Sequence, residues 1–225
     1  MEAGHPSRTA QSVAIHRAEH QLYDVPRVLH DPLALWIIGP EGAASIALGC
    51  WAAGLHGSRA MRAFVVARSR YAEDELARAV ASGARQYVIL GAGLDTFACR
   101  NPHAASGLSV FEVDHPDTQA WKLNRLTLMG IPVPGCVTFV PADFERRELA
   151  AGLMRAGFRP EQPAFFSWLG VTQYISREAV MATFAEIRSL CPESVIAFDY
   201  DSGQCLGAVV AHPRLYGQAI EFFGN

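Results

Sequence analysis

An α/β fold built on a doubly wound parallel sheet is what this sequence predicts, on three observations. Short apolar runs at 86–90, 109–114, 137–141, 164–169 and 194–200 recur after residue 85, with helical patterns between most of them. The runs are apolar without strict alternation, the pattern of strands buried on both faces. The first run passes directly into Gly91-Ala92-Gly93, and the second ends on Glu112-Val113-Asp114. Strand, helix and strand at this spacing imply right-handed crossovers and a doubly wound sheet, for which a Rossmann-like order 3-2-1-4-5 is expected.

Residues 1–60 read as a helical cap ahead of a sheet domain at 61–225. Apolar Val13, Ala14, Ala18 and Leu22 recur at close to helical spacing over 12–23. Asp31-Pro32 suits a helix start, with Asp31 as N-cap and the proline at the first helical position. That helix would carry Leu33, Leu35, Trp36 and Ile37 and stop at Gly39-Pro40. A long helix is expected over 59–82, its stripe drawn through Phe64, Ala67, Tyr71, Leu76 and Val80, with Gly83 as C-cap. Further helices are expected at 117–129, 145–156 and 177–190. Beyond Asp201 the pattern weakens. Residues 206–210 read as the start of another helix, and no further strand is expected, which would leave the fifth strand as an exposed edge.

Half of the 225 residues are hydrophobic and 18% are charged, so a large core is available and global disorder is excluded. A net charge of −3 gives no electrostatic case for nucleic acid or an anionic membrane. The five cysteines are scattered with no Cys-x-x-Cys, which argues against a zinc site or a disulfide framework. This usage fits a reducing cytoplasm. No apolar stretch follows the first residues, so no secretory signal is expected. The apolar stretch 34–55 is interrupted by Gly39, Pro40 and Glu41 and reads as packed helices rather than a membrane span.

In an open α/β sheet ligands bind beyond the carboxyl ends of the strands. Those ends deliver Gly91, Ala92, Gly93 and Asp95; Asp114 and His115; Asp143, Phe144 and Glu145; Ser167 and Trp168; and Asp199. The glycines allow a ligand close to the backbone. Asp114 lies about 20 residues further on, where a carboxylate can accept from ribose hydroxyls. Asp143 could meet an adenine amino group while Phe144 lies against its ring. A dinucleotide fold wants a third glycine where Thr96 stands, and a helix N-terminus facing pyrophosphate. Asp95 opposes phosphate there and suits a cationic ligand such as an ammonium or sulfonium group.

Other motifs carry less. His16-Arg-Ala-Glu-His20 matches an inverted zinc-protease pattern but precedes the sheet and lacks a third ligand, and it reads as a solvated helix face. His115 reads as part of a turn. Neither a Gly-x-Ser-x-Gly elbow nor a P-loop occurs.

From Ser7 to Tyr200 the sequence resembles the S-adenosylmethionine-dependent methyltransferases of the leucine carboxyl methyltransferase type, in particular their bacterial, actinobacterial-like branch. The resemblance rests on Ser7-Arg-Thr-Ala10, His30-Asp-Pro32, Arg68-Ser-Arg70, Leu90-Gly-Ala-Gly-Leu-Asp-Thr96, Phe111-Glu-Val-Asp-His-Pro116, Ala142-Asp-Phe-Glu145 and Trp168-Leu-Gly-Val-Thr-Gln-Tyr174. It implies S-adenosyl-L-methionine as cofactor, with Gly91, Ala92 and Gly93 at its methionine part, Asp114 on the ribose, and Asp143 and Phe144 beside the adenine. It implies Arg68 as partner of the cofactor's carboxylate, with Arg70 the near alternative. Where the family often has Glu-Gly after the fourth strand, this chain has Leu169-Gly170. The family also continues past the fifth strand, so the chain reads as C-terminally truncated.

The expected activity is transfer of a methyl group to a carboxylate or hydroxyl of a small molecule. No catalytic residue is assigned and no metal is expected. The alternatives are an NAD-dependent oxidoreductase using the same turn, and an inactive cofactor-binding domain.

Overall fold

The structure, a computed structural model, describes residues 7–48, 59–146, 148–201 and 206–211, with backbone alone from 201 onward. Two compact units share the chain. The helical unit takes Met1–Tyr71, Gly93–Asn101 and Pro116–Pro134; the sheet unit takes Ala72–Ala92, Pro102–His115 and Gly135–Asn225.

In the helical unit, α1 spans Arg8–Tyr23, α2 Ala34–Ile37 and α3 Gly39–Ala47. Helix α4, Arg59–Ala81, begins in this unit and passes into the other at Ala72. Helix α5 is Pro116–Leu128. Ala14, Ile15, Ala18, Ile37, Ile38, Ile46, Leu94 and Leu126 form one apolar core. Two details differ from the sequence reading. Leu22 is exposed, and the buried part of α1 is Ala14 through Gln21, including His16, Arg17, Glu19 and His20. Asp31 is not an N-cap: α2 begins three residues later behind Leu33, and the Asp31 carboxylate is fully buried elsewhere. Gly39-Pro40 both ends α2 and opens α3, since a proline within the first turn removes no helical hydrogen bond.

The buried side of α4 is Val65, Val66, Arg68, Ser69, Ala72, Leu76 and Val80. It is rotated from the stripe drawn through Ala67 and Tyr71, both of which are exposed. The helix ends as expected, with Gly83 at φ +105° and its N–H donating to the Val80 carbonyl.

The sheet unit holds β1 Gln86–Leu90, β2 Ser109–Asp114, β3 Val137–Pro141, β4 Ala164–Trp168 and β5 Val195–Asp201. They are parallel in the order 3-2-1-4-5. Helices α6, Leu149–Arg155, and α7, Arg177–Leu190, belong to the same unit. Every residue of β1 and β4 is buried, as central parallel strands require. Val88, Leu90, Val113, Phe166, Trp168, Phe184, Ile187 and Phe198 anchor its core.

One expectation fails here. Residues 206–211 are not helical: Leu206–Ala211 is a sixth strand, β6, antiparallel to β5. β5 is therefore an inner strand rather than an edge. A six-residue apolar run has no decisive period, and its adjacent valines suit a pleated strand beside the unpaired backbone of β5. Among the described residues, no helix is long and apolar enough to cross a membrane.

Candidate functional site

Sheet register sets which residues share the carboxyl edge of the sheet unit. Leu90 stands level with Val113 on one side and Trp168 on the other. Asp114 stands level with Pro141. Gly91 and Asp114 are thus neighbours in level, with Asp143 and Phe144 just beyond β3.

The turn after β1 is stitched to β2 by its backbone. The N–H groups of Gly91 and Ala92 both donate to the Val113 carbonyl, at 2.8 and 3.1 Å. Gly91 has φ +68°, and a Cβ there would lie 2.2 Å from Val171 Cγ2, so both backbone and packing demand glycine. Asp114 Oδ1 accepts the His115 N–H at 2.7 Å, and the Asp114 carbonyl accepts from Ala142 at 2.9 Å. β2 and β3 are thereby locked where the acid emerges, and His115 takes the turn role expected of it.

Asp143 is exposed and accepts the Glu145 N–H at 3.0 Å. Phe144 is half-buried and meets Trp168 with ring centroids 5.8 Å apart. Trp168 itself is fully buried, and its indole N–H finds no hydrogen-bond partner among the described residues. At the fifth strand, buried Asp199 accepts the Gly170 N–H at 2.6 Å, and its carbonyl accepts from the Thr172 hydroxyl at 2.7 Å. Asp199 therefore fastens the Leu169-Gly170-Val171 loop that packs on Gly91.

Gly93 and Arg68 belong to the helical unit. Arg68 is buried on α4 with its guanidinium 5.2 Å from the Phe64 ring, whereas Arg70 is exposed. The two arginines, alike in sequence, stand in different environments.

Asp95 does not meet the expectation of a carboxylate open to a cationic ligand. It is held by Arg17 of α1, whose Nη1 donates to Oδ2 at 2.7 Å. Arg17 Nη2 also reaches Asp31 Oδ2 at 2.8 Å and the Thr96 hydroxyl at 3.3 Å. The Thr96 hydroxyl donates to Asp31 Oδ1 at 2.7 Å and accepts from Arg100 Nε at 3.2 Å. Burial alone would raise the Asp95 carboxyl. The charges of Arg17, Arg100 and Lys122 and the Phe97 N–H outweigh it and hold the group at about 2. The sequence reading gave Asp31 a capping role and Arg17 none, so the cluster itself was missed. The available signal was a charged residue lying among Ala14, Ile15 and Ala18 on the apolar side of α1.

The His16 and His20 pair is likewise engaged. The Leu29 N–H donates to His20 Nε2 at 3.3 Å, so the ring proton sits on Nδ1 and faces Asp24 Oδ2 at 2.8 Å. Asp24 also takes a two-pronged contact from Arg62, at 3.0 and 2.9 Å, whose hydrogen bonds hold its carboxyl below the usual range. Among the described residues, no three His, Cys, Asp or Glu side chains are placed to hold a metal ion.

The sequence profile of leucine carboxyl methyltransferases matches residues 10–188. The chain belongs to the leucine carboxyl methyltransferase family. The chain is 34% identical over 225 aligned residues to YktD of Bacillus subtilis, a protein named for S-adenosyl-L-methionine-dependent methyl transfer. The match covers 89% of this chain and 72% of that protein. A similarly named protein of Parafrankia is 34% identical over 87% of this chain and 63% of its own length. Most of the relatives are thus a good deal longer than the span they share with this chain.

Two solved structures share the fold. A Thermobifida fusca protein titled as a methyltransferase superposes with TM-score 0.53 at 17% identity, over 90% of this chain and 70% of that one. A duf574 family protein of Streptomyces avermitilis gives 0.51 at 18%, over 76% and 67%. The turn after β1 departs from a dinucleotide site in two ways. It leads into only a 3-10 turn at Phe97–Arg100 and another at Ala104–Ser106, so no α-helix follows it directly. Thr96, in place of a third glycine, is the hub of a buried charge cluster.

Proposed function

We propose that this chain binds S-adenosyl-L-methionine through Gly91, Ala92, Gly93, Asp114, Asp143 and Phe144, with Arg68 pairing the cofactor's carboxylate, and methylates an oxygen of a small molecule. The observation that carries the reading is a glycine turn with no helix behind it, level with the acid ending β2. A pyrophosphate cofactor would lack its usual anchor there, whereas a nucleoside with a cationic sulfur needs none. Asp114 supplies a carboxylate for ribose hydroxyls, and exposed Asp143 beside the half-buried Phe144 ring suits an adenine edge and face. Leu169 replaces the acid common in the family, so one cofactor contact passes to other groups.

When bound, the cofactor supplies an electrophilic methyl group on a sulfonium. The residues of this chain would hold and orient it and exclude water, which is most of what in-line transfer to oxygen requires. A carboxylate acceptor is already ionised at neutral pH and needs no base; a hydroxyl acceptor does. We place acceptor selection in residues 1–60 and the reaction in the cytoplasm, the latter on the scattered cysteines.

Titration calorimetry with S-adenosylhomocysteine and with NAD tests the cofactor. Binding of the first and not the second is expected; NAD binding without S-adenosylhomocysteine binding would overturn it. A labelled methyl donor incubated with a metabolite extract tests the acceptor, and a base-labile methyl ester among the products marks a carboxylate.

A further inference from the structure

We propose that the buried charge cluster around Arg17 is the positioning device of the glycine turn, so that Arg17, Asp31 and Thr96 govern cofactor affinity as positioning residues. This rests on the reading of the turn as a cofactor site.

The reason lies in what is missing after β1. In a doubly wound fold the helix that follows the first turn packs down and holds that turn in place. Here the chain leaves Gly93, at φ +49°, without entering an α-helix. Glycine backbone is soft, so a turn built on two left-handed glycines needs a fixed exit if it is to keep one shape. Leu94 is buried in the apolar core, and residues 95 and 96 are the next two. Both are fastened by side chains from far away in sequence. Arg17 spans Asp95 and Asp31, and Thr96 joins Asp31, Arg17 and Arg100 through one hydroxyl.

The far side of the cluster is braced too. Gln21, one turn after Arg17, donates to the Leu29 carbonyl at 2.9 Å and accepts the Asp31 N–H at 3.2 Å. Its amide acts as a piece of backbone that fixes the loop carrying Asp31. Arg17 and Arg100 face Asp31 and Asp95, and buried Lys122 adds a third positive charge that acts on Asp95. Buried ion pairs add little stability over apolar packing of the same volume. What several charge-assisted hydrogen bonds do supply is direction. A cluster of this kind, two residues past a flexible turn, is suited to holding geometry.

The test uses two variants that keep the cluster's charges. Thr96→Val removes the hub hydroxyl at nearly constant shape. Arg17→Lys keeps one positive charge but cannot span both carboxylates. Ile46→Ala, a core truncation in the same unit, is the control for general loss of stability. Each is measured by S-adenosylhomocysteine calorimetry, thermal melting, and amide hydrogen exchange across residues 93–97 without ligand. We expect both cluster variants to weaken binding at least tenfold and to speed exchange at 93–97. Ile46→Ala should lower the melting temperature comparably while leaving affinity within twofold. Unchanged affinity in both cluster variants, where Asp114→Asn does lose affinity, overturns the positioning role and leaves the cofactor reading standing. An equal loss in Ile46→Ala overturns it as well. Should the parent chain not bind S-adenosylhomocysteine, the cofactor reading fails. Amide exchange then decides the cluster alone, and unchanged exchange in both variants rejects it.

Discussion

At Gly91 the left-handed φ and the missing Cβ are two separate constraints, and substitutions can separate them. Gly91→Ala meets a backbone cost of about 1–2 kcal/mol for a left-handed L-residue, plus the collision with Val171. Adding Val171→Ala should relieve the collision and leave the backbone cost. Urea denaturation should therefore find the double variant more stable than Gly91→Ala alone; the reverse order would mean that the loop after β4 yields freely. At Asp114, Asn can still accept the His115 N–H while losing the charge, so the turn should survive. Asp114→Asn should weaken S-adenosylhomocysteine binding by about 1.5–3 kcal/mol, the range for a hydrogen bond to a charged group, with an unaltered melting curve. Equal affinity in variant and parent would take the ribose away from Asp114. Arg68→Ala and Arg70→Ala should differ in the same assay, with the loss confined to the buried arginine. A loss that follows Arg70 would reverse that choice. The positions of Gly91 and Asp114 were legible because strand ends fix where they emerge, whereas Arg68 and Arg70, on α4, came into view only through the family resemblance. The partners of Asp95 were not legible, since Arg17 lies 78 residues away and only tertiary packing brings the two together.

Helices and strands were legible in proportion to their length and signals. Helix α7 falls on the expected residues because Ser176 caps it, its hydroxyl accepting the Ala179 N–H at 3.2 Å, and its apolar residues keep helical spacing. Helix α6 starts four residues later than expected. Glu145 is drawn off to Ser176, accepting both its N–H and its hydroxyl at 3.0 Å, so it cannot open the helix. Strand β6 was misread because six apolar residues suit either structure until a neighbouring edge decides. Ser176 thus serves two elements, capping α7 and tethering the segment before α6. Ser176→Ala should cost about 1 kcal/mol as a cap loss. Double-mutant analysis with Glu145→Ala should show the two effects to be non-additive. Strict additivity would show that the hydroxyl's contact with Glu145 contributes nothing, since the backbone N–H at 176 donates to Glu145 in either protein.

On the scale of the whole chain, the parallel sense of the five strands follows from the alternation of strand and helix patterns, while their order matches the Rossmann-like expectation without being fixed by that alternation. Six residues at the strand ends and one on α4 carry the proposed site. The division into two interleaved units was not legible, because each unit draws on segments distant in sequence. The helical unit, built around an apolar core, also leans on the charges of Arg17, Asp31 and Asp95, and these give its stability a pH dependence. The Asp95 carboxyl is held at about 2 in the folded chain against an ordinary value of 3.8. A depressed carboxyl adds stability in full above its unfolded value and loses it as pH falls through the folded one. The window is therefore about pH 4 down to about pH 2, and the contribution is on the order of 2 kcal/mol at neutral pH, from ~1.4 kcal/mol per pH unit. Asp95→Asn should be destabilised by about that amount at pH 6. The gap to the parent should narrow steadily between pH 4 and pH 2, where the parent's own carboxylate becomes protonated. Denaturant titrations of both proteins across that range measure it. A gap that stayed constant with pH would mean that the carboxylate's shape, and not its charge, holds residues 95 and 96.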